Sequence, residues 1–335
     1  MKIAIMSFAH THAGGYVELL LADPSVELRA SDPGTYPAGE LRGRAFADEL
    51  GVDYVDSYEE LLAWKPDAVI VTSENAHHRE HVELAAAAGA HVLCEKPLAT
   101  TLEDGKAMLA ATEAAGVMLM VAFPVRFAST FLKLKADYDN GLLGQVITVR
   151  GANNGKLPVA RSWFTDPALS GGGALVDHIV HIADLLEGLM GAAPVSVTAI
   201  TNQKLHAERA QAETAGLVTI TYDNGVIAAI DCSWSRPESA PTWGGVKMTV
   251  AGTGGTVDLD FFGPRARGLE TVSGRPIELP YGPNFDASLV GTFLDGVRSG
   301  IHPQPDGAVG LRTLRIVLAA QESAETGSTV TIVED

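Results

Sequence analysis

The chain opens Lys2-Ile3-Ala4-Ile5-Met6-Ser7-Phe8-Ala9-His10-Thr11-His12, an apolar run of strand character that stops at a polar turn. A short run that is apolar throughout, rather than alternating, reads as an interior strand covered on both faces. Working outward, the pattern repeats. A helical stretch follows at Tyr16–Ala22, stopped near Pro24, then a strand at Val26–Ala30 and a helix at Glu40–Leu50 closed by Gly51. A short helix at Tyr58–Trp64 and a strand at Ala68–Val71 come next. Arg79–Ala88 reads as a helix ended by Gly89, His91–Cys94 as a strand, Leu102–Ala115 as a helix ended by Gly116, and Val117–Ala122 as a strand. Glycine just past the last periodic residue is the usual helix stop. Strands separated by helices predict right-handed βαβ units and a parallel sheet.

After about Phe123 the pattern changes. One helix at Ser129–Asn140 precedes longer strand candidates at Gln145–Ala152, Val195–Asn202, Thr214–Tyr222, Val226–Ser233, Val246–Ala251 and Thr256–Phe261. Asp223-Asn224-Gly225 is a hairpin turn signal, and Gly252-Thr253-Gly254-Gly255 reads as a second turn. Helices at Gly173–Leu189, Asp286–Arg298 and Ala308–Thr326 and a strand at Thr329–Val333 complete this half. The 335 residues are therefore expected to form two domains, 1–122 and 123–335, the second built on a mostly antiparallel sheet.

Composition narrows the function classes. Hydrophobic residues make up 46% and charged residues 19%, which supplies a core and excludes wholesale disorder. The formal charge is −17, and residues 1–122 carry −11 of it. Such a surface repels polyphosphate, so neither nucleic acid nor a membrane surface is an expected partner. Cys94 and Cys232 cannot form a disulfide framework, no signal peptide precedes the first strand, and the longest apolar run, Val117–Phe123, falls far short of the ~20 residues that span a bilayer. The expected location is cytoplasmic.

A turn between the first strand and the first helix is where backbone N–H groups and the helix dipole hold a dinucleotide pyrophosphate. Here the Gly-x-Gly-x-x-Gly spacing falls on Ser7, Ala9 and His12, with no glycine at any of the three. Asp32 closes the second strand, 25 residues after Ser7. A carboxylate there accepts the ribose hydroxyls of NAD and repels the 2′-phosphate of NADP. Asp32-Pro33-Gly34 reads equally well as a plain turn.

Cys94-Glu95-Lys96-Pro97-Leu98-Ala99, directly after a strand, carries more. With it stand Asp67-Ala68-Val69-Ile70-Val71 leading to Asn75-Ala76-His77-His78, and Gly171-Gly172-Gly173-Ala174-Leu175-Val176-Asp177-His178-Ile179-Val180-His181. In this order, followed by the Gly252–Gly255 turn and the terminal helix Gly310–Ser323, they resemble the glucose–fructose oxidoreductase / inositol dehydrogenase / rhizopine-catabolism (Gfo/Idh/MocA) family over essentially the whole chain. The resemblance implies an α/β protein: an N-terminal Rossmann domain with a parallel sheet, and a C-terminal α+β domain with a large, open, mostly antiparallel sheet that pairs protomers into homodimers or homotetramers. It implies a nicotinamide cofactor, and Asp32 favours NAD over NADP. By position, Ser7, Phe8, Ala9, His10, Thr11 and His12 would face the pyrophosphate and Asp32 the adenosine ribose. Thr72, Ser73, Asn75 and His78 would meet the middle of the cofactor, and Glu95, Lys96 and Pro97 the nicotinamide. The sequence departs from the pattern in two respects: the three missing glycines, at Ser7, Ala9 and His12, and Pro124 where the family often has Asn.

The resemblance further implies a catalytic set of Lys96, Asp177 and His181. Asp177 and His181, spaced i, i+4, share one helix face. An imidazole, with an ordinary pKa of about 6.5, suits a general base, and a lysine cation favours a developing alkoxide. Arg126, Lys156 and Trp163 join these three as candidate substrate contacts, although Trp163 and Phe164 read equally well as core. The expected activity is an NAD-dependent dehydrogenase acting on a secondary hydroxyl of a sugar, inositol or related polyol. Two other readings compete. His10-Thr11-His12 resembles the His-x-His of barrel metallohydrolases, with Asp177, His178 and His181, or His77, His78 and His81, as further ligands. The strand–turn–strand pattern after residue 195 breaks the eightfold alternation such a barrel needs, and no metal is expected. A non-catalytic nucleotide sensor on the same fold is the third reading, and the retained Lys96, Asp177 and His181 speak against it.

Overall fold

The computed structural model describes residues 1–272 and 274–333. The chain forms two compact units. The first comprises Met1–Pro124, Pro158–Gly171 and Asp286–Leu314; the second comprises Val125–Leu157, Gly172–Phe285 and the residues from Arg315 onward. The expected split at 122/123 is thus too simple, because two later segments return to the first unit. Membership of a core is decided by contact, and a pass along the chain sees only order.

The N-terminal part of the first unit runs β1 (Lys2–Met6), α1 (His12–Leu21), β2 (Glu27–Ser31), α2 (Gly43–Leu50), β3 (Asp53–Tyr54), α3 (Tyr58–Ala63), β4 (Ala68–Val71), α4 (His78–Ala87), β5 (His91–Cys94), α5 (Leu102–Ala115) and β6 (Leu119–Val121). The strands form one parallel sheet in the order β3-β2-β1-β4-β5-β6. Ile3–Met6 and Ala68–Val71 are completely buried, as their unbroken apolar character requires. The chain reverses direction across the sheet at β1, between β2 and β4. Ligands of open α/β sheets bind outside the carboxyl ends of the strands at such a switch point.

Along the rest of the chain come α6 (Ser129–Asp139), β7 (Val146–Lys156), α7 (Pro167–Ser170), α8 (Ala174–Met190), β8 (Pro194–Asn202), β9 (Ala215–Tyr222), β10 (Ile227–Arg236), β11 (Gly244–Gly252), β12 (Gly255–Asp260), β13 (Arg265–Leu269), β14 (Pro276–Pro280), α9 (Phe285–Ser299), α10 (Gly307–Thr326) and β15 (Val330–Thr331). The sheet of the second unit is ordered β12-β11-β7-β10-β9-β8-β15. Only the β7/β10 pair is parallel among its described pairings. Helix α8 lies close against its inner face: a Cβ added to Gly151 of β7 would come 2.8 Å from Ile182. The opposite face leaves Ile200, Leu217 and Ile227 exposed. The β13–β14 hairpin has no counterpart in the sequence reading. Among the described residues, no helix is long and apolar enough to cross a membrane.

Candidate active site

The turn after β1 makes a nucleotide-type bend without glycine. Ser7 holds φ at 77°, in the left-handed region that costs a non-glycine residue about 1–2 kcal/mol. Its hydroxyl braces the bend, donating to Asp32 Oδ1 (3.0 Å) and accepting from the Ala9 amide (3.2 Å). Thr72 Oγ1 donates to the Ser7 carbonyl (2.7 Å), and the His10 amide donates to the Thr72 carbonyl (2.8 Å). The His12 amide donates to His10 Nδ1 (3.2 Å) and the Ala13 amide to the His10 carbonyl (3.2 Å). Four of the amides that would cradle a pyrophosphate are therefore engaged inside the protein. Thr11 is exposed and His12 partly so.

Trp163 and Phe164 wall the turn from behind. Trp163 Nε1 donates to the Ala9 carbonyl (3.0 Å), its ring stacks on Phe164 with centroids 3.9 Å apart, and Phe164 meets the His10 ring at 5.3 Å. Trp163 is only 3% exposed and packs in the core of the first unit.

Glu95, at the end of β5, gathers a second group. It is completely buried. Its Oε1 accepts from the Tyr16 hydroxyl (2.7 Å) and lies 2.9 Å from His12 Nδ1, while Oε2 accepts from the Lys96 amide (3.2 Å). Burial works to raise the Glu95 pKa, yet His10, His12 and Lys96 hold it well below the usual carboxylate range. Burial likewise opposes a charge on His12, and Glu95 overrides it, raising the imidazole above its ordinary value. One ligand atom from each of His10, His12 and Glu95 lies within 4.8 Å of the others, a spacing open to a metal ion. The donor set speaks against one. His10 Nδ1 already accepts the His12 amide, Glu95 already serves Tyr16, His12 and Lys96, and the lysine adds positive charge beside them. The open six-stranded sheet is also not a metallohydrolase barrel.

Asp32, 1% exposed, directly follows β2, and its carboxylate is fully occupied. Oδ1 accepts from Ser7 Oγ (3.0 Å) and Arg42 Nη2 (2.8 Å); Oδ2 accepts from Arg42 Nε (3.1 Å) and the Gly43 amide (3.1 Å). Arg42 Nη1 continues to Glu74 Oε1 (2.7 Å). Burial opposes ionisation of Glu74, but His77 and Arg42 hold its pKa down at about 2. Thr72 and Ser73 are buried at the end of β4. Asn75 Nδ2 donates to the Ser170 carbonyl (2.8 Å). His78 is completely buried, with Nδ1 3.0 Å from the Pro97 carbonyl oxygen and Nε2 3.3 Å from that of Ser73. It braces the backbone after Lys96.

Within the second unit, α8 places Asp177 and His181 one turn apart, both partly exposed. Asp177 Oδ2 accepts from Trp234 Nε1 (3.3 Å) and lies 3.1 Å from His178 Nε2. Arg126 is committed to Asp184, with Nη2–Oδ1 at 2.6 Å and Nε–Oδ2 at 3.1 Å, so its expected place at the substrate is not supported. Lys156 ends β7, its amide donating to the Trp243 carbonyl (2.9 Å). Lys96 belongs to the first unit; Asp177, His181, Arg126 and Lys156 belong to the second. Sequence reading missed Tyr16, Arg42 and Glu74. Tyr16 is legible in the sequence, because it follows His12 by four residues on one helix; Arg42 falls inside the helix expected at Glu40–Leu50, which begins only at Gly43.

Comparison with known proteins matches residues 34–123 to the oxidoreductase family with an NAD-binding Rossmann fold, and residues 131–258 to the GFO/IDH/MocA C-terminal domain. The chain is 32% identical to 1,5-anhydro-D-fructose reductase of Ensifer adhaerens over 298 residues, covering 87% of this chain and 88% of the relative. The chain belongs to the GFO/IDH/MocA oxidoreductase family. This GFO/IDH/MocA protein is also 29% identical to myo-inositol 2-dehydrogenase of Thermotoga maritima, over 100% of the chain and 99% of that relative. Among solved structures it resembles GenD2 from gentamicin A biosynthesis in complex with NAD, with a TM-score of 0.88 at 25% identity, covering 100% of this chain and 97% of that one. Sheet order and the place of Asp32 fit a bound dinucleotide; the amides of the β1–α1 turn do not in their present pairing.

Proposed function

We propose that this family member transfers a hydride reversibly between NAD and a secondary hydroxyl or carbonyl of a sugar, inositol or related polyol. The observation that carries the reading is Lys96 at the carboxyl end of β5, its amide tied to the buried Glu95 carboxylate. Family membership and relatives named for a sugar derivative and an inositol support the substrate class. The nicotinamide, when bound, accepts or returns the hydride. Lys96 stabilises the oxygen that gains charge as the hydroxyl proton leaves. His181 receives that proton, and Asp177, one turn earlier, orients the hydroxyl. Asp32 addresses the ribose hydroxyls and favours NAD over NADP. Ser7 to His12 line the phosphates, with Thr11 and His12 as the accessible side chains. The sheet of the second unit pairs protomers.

The test is a panel of sugars and inositols with NAD, read at the NADH absorbance, on wild type, Lys96→Ala and His181→Ala. Loss of an acid–base group lowers kcat by at least ~100-fold. Near-normal turnover in both variants would sink the assignment.

A further inference from the structure

His178 follows Asp177 on α8, and the hydride-transfer reading gives it no task. Its side chain is only 2% exposed. Neighbours along a helix do not normally face each other, yet His178 Nε2 lies 3.1 Å from Asp177 Oδ2. That approach falls short of hydrogen-bond geometry, and Nδ1 has no hydrogen-bond partner among the described residues. The surroundings hold the residue in place. Asn153 Nδ2, on β7, donates to the His178 carbonyl (3.1 Å), and a Cβ added to Gly155 of the same strand would come 3.3 Å from His178 Cε1. A buried ring with neither nitrogen satisfied is costly, and folded chains keep few such groups. A metal does not account for it: among the described residues Asp177, His178 and His181 do not converge as ligands.

The place of the ring proton follows from these contacts. A proton on Nδ1 would be a buried donor without an acceptor. It would also set the Nε2 lone pair against a carboxylate oxygen at 3.1 Å. A proton on Nε2 removes both conflicts and leaves only an unused lone pair on Nδ1. A slight turn of the ring then closes an N–H···O bond on Oδ2, the oxygen that already accepts from Trp234 Nε1 (3.3 Å). Two N–H donors on one oxygen favour the ionised carboxylate and fix its plane. The Asp177 side chain keeps 13% of its surface exposed, which leaves it within reach of a substrate.

We propose that His178 is a positioning residue: as the Nε2–H tautomer it donates to Asp177 Oδ2 beside Trp234, and so fixes the carboxylate that orients the substrate hydroxyl. The proposal rests on the hydride-transfer reading given above. Ring nitrogen–proton correlation NMR on the full chain, isotopically labelled at histidine, reads the tautomer without turnover. The spectrum is taken at about pH 8, where unperturbed imidazoles are neutral. The His178 signals are those lost in whichever of His178→Gln and His178→Leu folds. The Nε2–H form is expected, and a proton on Nδ1 overturns the proposal. Turnover is then measured with NAD and the panel sugar or inositol that wild type oxidises fastest. Glutamine keeps an amide donor near the Nε2 position and is expected to hold kcat close to wild type. Leucine fills the space without a donor and is expected to lower kcat at least ~10-fold, with the NAD Kd from isothermal titration unchanged. A ring that only packs would rank the two variants the other way, and wild-type kcat in His178→Leu overturns the proposal while the hydride-transfer reading stands. If wild type oxidises nothing in the panel, that reading fails and the role of His178 falls with it, whichever tautomer is found.

Discussion

Single side chains in this protein do work that backbone does in a glycine-rich turn. Ser7 accepts a left-handed conformation and repays it with hydrogen bonds to Asp32 and Ala9. His81 shows the reverse case, a polar group held in its uncharged form. It is 6% exposed, with the Tyr58 ring edge-on at 4.8 Å, and burial together with His78 and His77 lowers its pKa from 6.5 to about 4. Between those values the unfolded chain binds the proton and the folded chain does not. The associated stability is complete above pH 6.5 and is lost as pH falls towards 4. At ~1.4 kcal/mol per pH unit this amounts to at most about 3 kcal/mol. His81→Gln should therefore lose less stability than wild type between pH 7 and 4.5 in thermal melts; parallel curves would refute the linkage.

At the scale of elements, the glycine run before α8 has a packing explanation. A Cβ on Gly173 would lie 1.9 Å from the Glu213 carbonyl oxygen. Glu213 caps the helix in return: Oε1 accepts from the amides of Gly173 (2.8 Å) and Leu175 (3.1 Å), and its carbonyl accepts from the Ala174 amide (2.9 Å). Gly173→Ala should destabilise by more than ~2 kcal/mol, the range of severe overpacking. Glu213→Ala should cost ~1–2 kcal/mol, as lost caps do. Urea denaturation checks both, and an unchanged midpoint in Gly173→Ala would show that the segment moves aside. Elements bounded by strong local signals were legible to the residue. Ala68–Val71, His91–Cys94 and Leu102–Ala115 have buried apolar runs or a glycine cap at Gly116. By contrast, β7 runs on to Lys156 through Asn153, Asn154 and Gly155, which carry no strand preference; pairing with β10 and β11 supplies it.

The whole molecule carries a formal charge of −17, yet one face of the second unit's sheet exposes the aliphatic side chains Ile200, Leu217 and Ile227. Ile200 and Leu217 are directly paired across β8 and β9, and both are exposed, at 66% and 49%. Adjacent exposed aliphatics on a broad sheet suit association with a second copy, in line with the proposed pairing of protomers. Leu217→Glu, on the solvent side of β9, should lower the mass measured by light scattering without unfolding the chain. A mass unchanged from wild type would place the interface elsewhere.

Local patterns sufficed for much of this protein. Apolar runs, glycine stops and the order of Glu95-Lys96-Pro97, Asn75–His78 and Asp177–His181 settled the alternation of elements, the parallel sheet and the family, because each is written within a few consecutive residues. Packing settled what those residues do to one another. Arg42 reaches Asp32 across 10 positions and Glu74 across 32; Glu95 reaches Tyr16 across 79 and His12 across 83. Segments 158–171 and 286–314 return to the first unit. Such meetings depend on how helices and loops settle on a finished sheet, and local propensity holds no record of which distant side chain will be found there.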